Sequence, residues 1–125
     1  MQLIAPQEPT PASALLLANT DDVLALATEV QSAAIVVLQF PKWTDGRAYS
    51  QAVLLRGRLR YAGEIRAIGD VVVDMLPLLR RCGFDAAQLR GDQKPENADR
   101  TLGFFPGHYQ GDATGARPIF ARPAA

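Results

Sequence analysis

A chain of 125 residues, 48% hydrophobic and 21% charged, has the size and balance of one globular domain whose core needs no covalent staples. Its longest apolar run, AAIVVL, is too short to span a bilayer, and its one cysteine, Cys82, excludes an internal disulfide and a cysteine-cluster metal site. The net charge of zero argues against a global pull toward nucleic acid or membrane, although residues 42–81 hold eight bases against four acids, a local net charge of +4.

Residues 1–13, with Pro6, Pro9 and Pro11, read as an irregular arm. The start MQLIAPQEPTPAS lacks the basic and long apolar regions of a signal peptide, so the cytoplasm is the expected compartment. SALLLAN reads as a short buried strand. TDDVLALATEVQ follows as a helix, with Thr20 as its cap, two acids in its first turn, and Val23, Leu26, Ala27 and Val30 on one face. AAIVVLQF is a continuous β-branched strand of the kind buried on both sheet faces.

Beyond Phe40 the chain turns through Pro41-Lys42-Trp43-Thr44-Asp45-Gly46 into a second helix. There Ala48, Ala52, Leu55 and Leu59 form the buried stripe, while Arg56 and Arg60 lie off it and can reach water. Gly57 weakens this helix by roughly 1 kcal/mol relative to alanine. GEIRAIGD is a third strand. DVVVDMLPLLRRCGF reads as a helix from about Asp70 with a local distortion at Pro77, in preference to one that starts near Asp74 with Pro77 in its first turn; Gly83 is its left-handed stop. FDAAQLR is a fourth strand, KPENADRTLGFF a helix with Pro95 at its first position, and residues 106–125 a glycine- and proline-rich tail.

This alternation predicts an α/β fold over residues 14–105, with about four mainly parallel strands joined by right-handed crossovers. A flavodoxin-like layer and a part-barrel both satisfy it.

Ligands of parallel α/β sheets bind beyond the carboxyl ends of strands. Those ends fall at Asn19-Thr20, Phe40 to Asp45, Ile68 to Asp70 and Arg90 to Asp92. The TDGR corner therefore has two readings. Thr44 or Asp45 caps a helix, as nearly every helix requires, or backbone N–H groups and Arg47 hold an anion there. Other groups point less far. His108, the single histidine, has no legible partners for catalysis, and Cys82 sits at a helix end that disfavours a thiolate. The helix dipole accounts for Arg80 and Arg81 at that same end. Trp43 and Tyr49 suit a pocket or a core. No glycine-rich nucleotide fingerprint occurs, so no cofactor is expected.

FPKWTDGRAYSQAVLLR, GEIRAIGDVVVDM and LLRRCGFDAAQL together resemble an uncharacterised bacterial family whose genes sit beside those for assimilatory sulfite reductase and phosphoadenylylsulfate reductase. The likeness covers roughly residues 14–90 and departs from the family pattern at Met75 and Pro77. It implies an accessory or binding protein of sulfite reduction that docks to the reductase or to its acidic electron donor. Some members are labelled oxidoreductases, which implies as the alternative a small enzyme acting on an anionic substrate. Asp45, Gly46, Arg47, Arg66 and Asp70 are the ligand or anion-binding candidates, and Arg47, Arg56, Arg58 and Arg60 the docking candidates. One cysteine cannot ligate an iron–sulfur cluster, so any redox centre belongs to the partner. A homodimer is the third, structural reading.

Overall fold

The computed structural model describes residues 1–94. Five strands form a single all-parallel sheet: β1 (Gln2–Ile4), β2 (Leu15–Leu17), β3 (Ile35–Phe40), β4 (Glu64–Gly69) and β5 (Ala86–Gln88). Between β2 and β5 the strands alternate with helices α1 (Ala27–Ser32), α2 (Arg47–Gly57) and α3 (Leu76–Cys82). The fold is α/β, in a single small domain.

The sheet order is β1-β5-β4-β3-β2, so each step from β2 to β5 moves to the adjacent strand in one direction. Crossovers of one hand that always step the same way leave α1, α2 and α3 on the same face. The core reflects this. Leu17, Leu38, Ala67 and Ala87 form one register row, and they share a buried cluster with Val30 of α1, Ala48, Ala52 and Leu55 of α2, and Leu76 and Leu79 of α3. From β2 to β5 the order is consecutive, while the connection from β1 to β2 runs the other way, from one edge of the sheet to the other.

The opposite face carries the row Leu16, Val37, Arg66, Ala86 and Gln2. Val37 and Ala86 are fully buried, and the Gln88 amide on this face donates to the carbonyls of Ala5 and Glu8. Residues 5–8 are thereby tied to β5 before the chain reaches β2 at the far edge.

Several sequence expectations need correction. The arm 1–13 is not wholly irregular, because Gln2–Ile4 pairs with Ala86–Gln88 as an edge strand ahead of the prolines. The strand from SALLLAN is an edge strand rather than a buried one, with Leu16 exposed. Thr20 caps nothing. The carboxylates of Asp21 and Asp22 instead accept the N–H groups of Ala18 and Leu24, holding residues 18–26 in turns, and α1 begins only at Ala27. Asp70 starts no helix either. A single 3-10 turn, Val73–Met75, leads into α3, and Pro77 takes its tolerated place in the first turn. Gly83 ends α3 at φ 108°, as its left-handed role requires. The expected Pro95 helix, the tail and His108 lie outside the described residues.

Candidate functional site

The TDGR corner stands at the carboxyl end of β3 and opens α2. Gly46 is the residue at the helix cap, and its lack of a side chain leaves the capping to its neighbour. Asp45 Oδ1 accepts the Arg47 N–H at 3.1 Å. The same carboxylate takes Arg47 Nε at 3.1 Å, Arg47 Nη2 at 2.8 Å and the Asn19 amide at 2.8 Å. This fork of side-chain bonds from Arg47, with its backbone N–H and Asn19, lowers the Asp45 carboxyl from 3.8 to about 2. In return Asp45 raises the Arg47 guanidinium further above its ordinary value.

Asp70 plays the equivalent part at the end of β4. Its Oδ1 accepts Arg90 Nη1 at 2.7 Å, and its Oδ2 accepts the Trp43 N–H at 2.8 Å. Arg90 also pairs with Asp92, from Nε and Nη2, both at 2.8 Å. Arg90 holds both carboxyls below their ordinary value, helped at Asp70 by the Trp43 N–H. Gly69 makes the approach of these loops feasible. At φ 99° it passes so near Phe40 that an added Cβ would lie 2.5 Å from the Phe40 carbonyl oxygen.

The result is a belt of polar contacts across four neighbouring strand ends: Asn19 after β2, the 42–47 corner after β3, Asp70 after β4, and Arg90 with Asp92 beyond β5. Asp45, Gly46, Arg47 and Asp70 are thus on one end of the sheet, linked through the corner. Arg66 is not with them. It lies mid-strand on the face opposite α1, α2 and α3, 8% exposed, beside Val37 and Ala86, and its guanidinium pairs with Glu64 two residues earlier at 2.9 Å. Residues i and i+2 of a strand share a face, so a partner from its own strand satisfies it.

Asn19, Arg90 and Asp92 stand at strand ends legible in the sequence but outside the residue candidates, and Gln51 stands at neither. The acid–base alternation of Arg90-Gly91-Asp92 just after a strand was the available signal. Gln51, on α2, had none. It is 4% exposed and donates to the carbonyls of Ala18 at 2.9 Å and Asp21 at 3.0 Å, pinning the loop after β2. Two carbonyl acceptors on one nitrogen fix which end of the amide is which, and the Gln51 Oε1 is buried with no partner among the described residues.

The aromatic candidates separate. Tyr49 packs edge-on against Phe40 with centroids 5.1 Å apart, a core contact, whereas Trp43 is 55% exposed. Cys82 is half-buried, and burial pushes its thiol up.

The docking candidates divide as well. Arg56 is only partly exposed and turns its guanidinium inward. Its Nε and Nη2 donate to the Gly83 carbonyl at 3.0 and 2.9 Å, Nη1 to the carbonyls of Tyr61 and Gly63 at 2.8 Å each, and Nη2 also to Asp85 at 2.6 Å. Every guanidinium N–H is thereby used inside the domain. Arg47 sits at the start of α2 and Arg58 just past its end, so the expected docking arginines do not form a single face.

Among the described residues, no group of three or more His, Cys, Asp or Glu side chains could hold a metal ion, and no helix is long and apolar enough to cross a membrane. Residues 14–120 match the model of a family described as a bacterial protein of unknown function (DUF934). No curated protein and no solved structure matches the chain.

Proposed function

The chain belongs to this bacterial family of unknown function, and we propose that it serves as an accessory or binding protein of assimilatory sulfite reduction, docking to the reductase or to its acidic electron donor. The observation that carries the reading is where the chain uses its charges. At the carboxyl end of the sheet, Asp45, Asp70 and Asp92 are bound to Arg47 and Arg90. A guanidinium forked onto its own carboxylate must break that pair to hold an anionic substrate, and a carboxylate lowered to about 2 is a poor base near neutral pH. A binding role asks for none of these things.

The link to sulfite comes from the likeness of FPKWTDGRAYS, GEIRAIGDV and RCGFD to a family encoded beside sulfite reductase genes. In this reading the partner holds the redox centre and this chain contributes surface. A gene-deletion strain should grow slowly on sulfite as sole sulfur source and recover on sulfide or cysteine. Purified protein should bind the reductase or its donor in a manner weakened by salt. Normal growth on sulfite, together with no such binding, defeats the reading. Turnover of a small anion by the isolated protein would replace it with the enzyme alternative.

A further inference from the structure

The helices of a parallel α/β unit run back against the strands, so α2 and α3 both end at the amino end of the sheet, opposite the polar belt. Arg56 fastens the two ends together through the Gly83 carbonyl. Two pairs of arginines separated by about twenty residues of chain are brought to this junction: Arg58 and Arg60 after α2, Arg80 and Arg81 in the last turn of α3. All four are exposed. Arg58, Arg60 and Arg81 form no ion pair with any described residue, and the nearby acids Asp85 and Glu64 are held by Arg56 and Arg66.

A helix C-terminus carries a partial charge near −0.5, so two such ends account for only part of this positive charge. Arg60 adds a separate observation. It stands at φ 54°, the left-handed region where glycine or asparagine would be less costly, in the reversal that returns Tyr61 N–H to the Leu55 carbonyl. A charged, exposed side chain thus stands where the backbone favours glycine.

We infer that this amino-end surface, built on Arg58, Arg60 and Arg81, is a docking face for an acidic protein surface. Guanidinium forks pair with carboxylates in two-pronged fashion. The carbonyls of Leu54, Leu55, Leu79 and Arg80 at these two helix ends already accept backbone N–H groups, so the face presents guanidinium donors and asks for acceptors. With a net charge of zero the chain has no long-range pull toward a phosphate array, and a local cluster of three arginines fits the carboxylates of a protein surface. The inference rests on the accessory reading for the partner's identity and on the arginines for the face itself.

The test uses the full chain and a short poly-L-glutamate as probe, followed by residue-resolved NMR titration and by affinity at rising salt. Shifts should concentrate at Arg58, Arg60, Arg81 and their neighbours. The variant Arg58→Glu/Arg60→Glu/Arg81→Glu should lose affinity about tenfold or more, while Lys42→Glu at the other end changes it less than about twofold. Arg60→Gly supplies the check on folding: it should raise the melting temperature and still weaken binding. Shifts spread over the whole surface, equal losses in Lys42→Glu, or tighter binding of single-stranded DNA or phosphatidylglycerol vesicles than of poly-L-glutamate overturn the inference. Growth on sulfite separates the two proposals. A deletion strain that grows normally rejects the sulfite role and leaves the docking face standing. A defective strain rescued by the triple-Glu variant rejects the face and leaves the role.

Discussion

Arg56 of α2 and Gly83 beyond α3 are joined twice, the guanidinium donating to one carbonyl oxygen from both Nε and Nη2. The closeness extends to the backbone, since a Cβ added at Gly83 would lie 2.6 Å from Arg56 Cγ. With Tyr61, Gly63 and Asp85 also bound, one side chain organises the whole amino end of the sheet around α2, β4 and β5. Asp85 completes the arrangement by accepting the Ile65 N–H at 2.9 Å.

Arg56→Met should therefore destabilise the fold by roughly 3 kcal/mol, because three carbonyls and a carboxylate lose their donors together. Arg56→Lys should recover little of this, since an ammonium lacks the planar fork that reaches acceptors on both sides. Arg58→Met, by contrast, should stay within about 0.5 kcal/mol of the parent. Urea denaturation measures all three, and an Arg56→Met variant as stable as Arg58→Met would show that the hub carries no net stability.

Two glycines should respond with opposite signs. Gly69→Ala places a Cβ against the Phe40 carbonyl at a positive φ, and a loss of about 2 kcal/mol or more is expected. Gly57, in the last turn of α2, has nothing within 4 Å of an added Cβ, so Gly57→Ala should stabilise by roughly 0.5–1 kcal/mol. Thermal melts of the two variants suffice, and a stabilised Gly69→Ala would contradict the packing described between β3 and β4.

The polar belt predicts an acid limb. Asp45 is lowered to about 2 in the folded chain against 3.8 ordinarily, and Asp70 and Asp92 shift in the same direction. Groups lowered on folding stabilise above their unfolded value and lose that contribution as pH falls through the folded one. Stability should be flat with respect to these groups from neutral pH to about 4, then decline toward about 2. Asp45→Asn should reduce the slope in that window. An unchanged acid limb in the variant would mean that the Asp45 pair is broken in solution.

Cys82 should behave as a slow thiol. Burial raises it, and the nearby Arg81 offsets this only in part. Iodoacetamide at mildly alkaline pH should modify it more slowly than a free cysteine peptide, with the difference abolished in denaturant. Modification at or above the free rate would place an activated thiolate here and reopen the enzyme alternative.

Local pattern is legible in the residues alone. The β-branched run of β3, the stripe Ala48-Ala52-Leu55 of α2, the glycine stop at Gly83 and the corner between β3 and α2 follow from periodicity and backbone stereochemistry, and with them the α/β class. Tertiary structure decided which polar groups meet. On a helical wheel Arg56 reads as a solvent-facing residue, yet its long side chain reaches acceptors that loops up to 29 residues away bring to it. Arg66 reads as a strand-edge cation and is buried mid-sheet, because strand order, which no local pattern carries, places Val37 and Ala86 on either side. β1 likewise depends on β5, more than eighty residues further along the chain, to supply its hydrogen-bonding edge. The two arginine pairs share a surface for the same reason: consecutive crossovers return α2 and α3 to the same end of the sheet, and a side chain's partners are set by that return rather than by its neighbours in sequence.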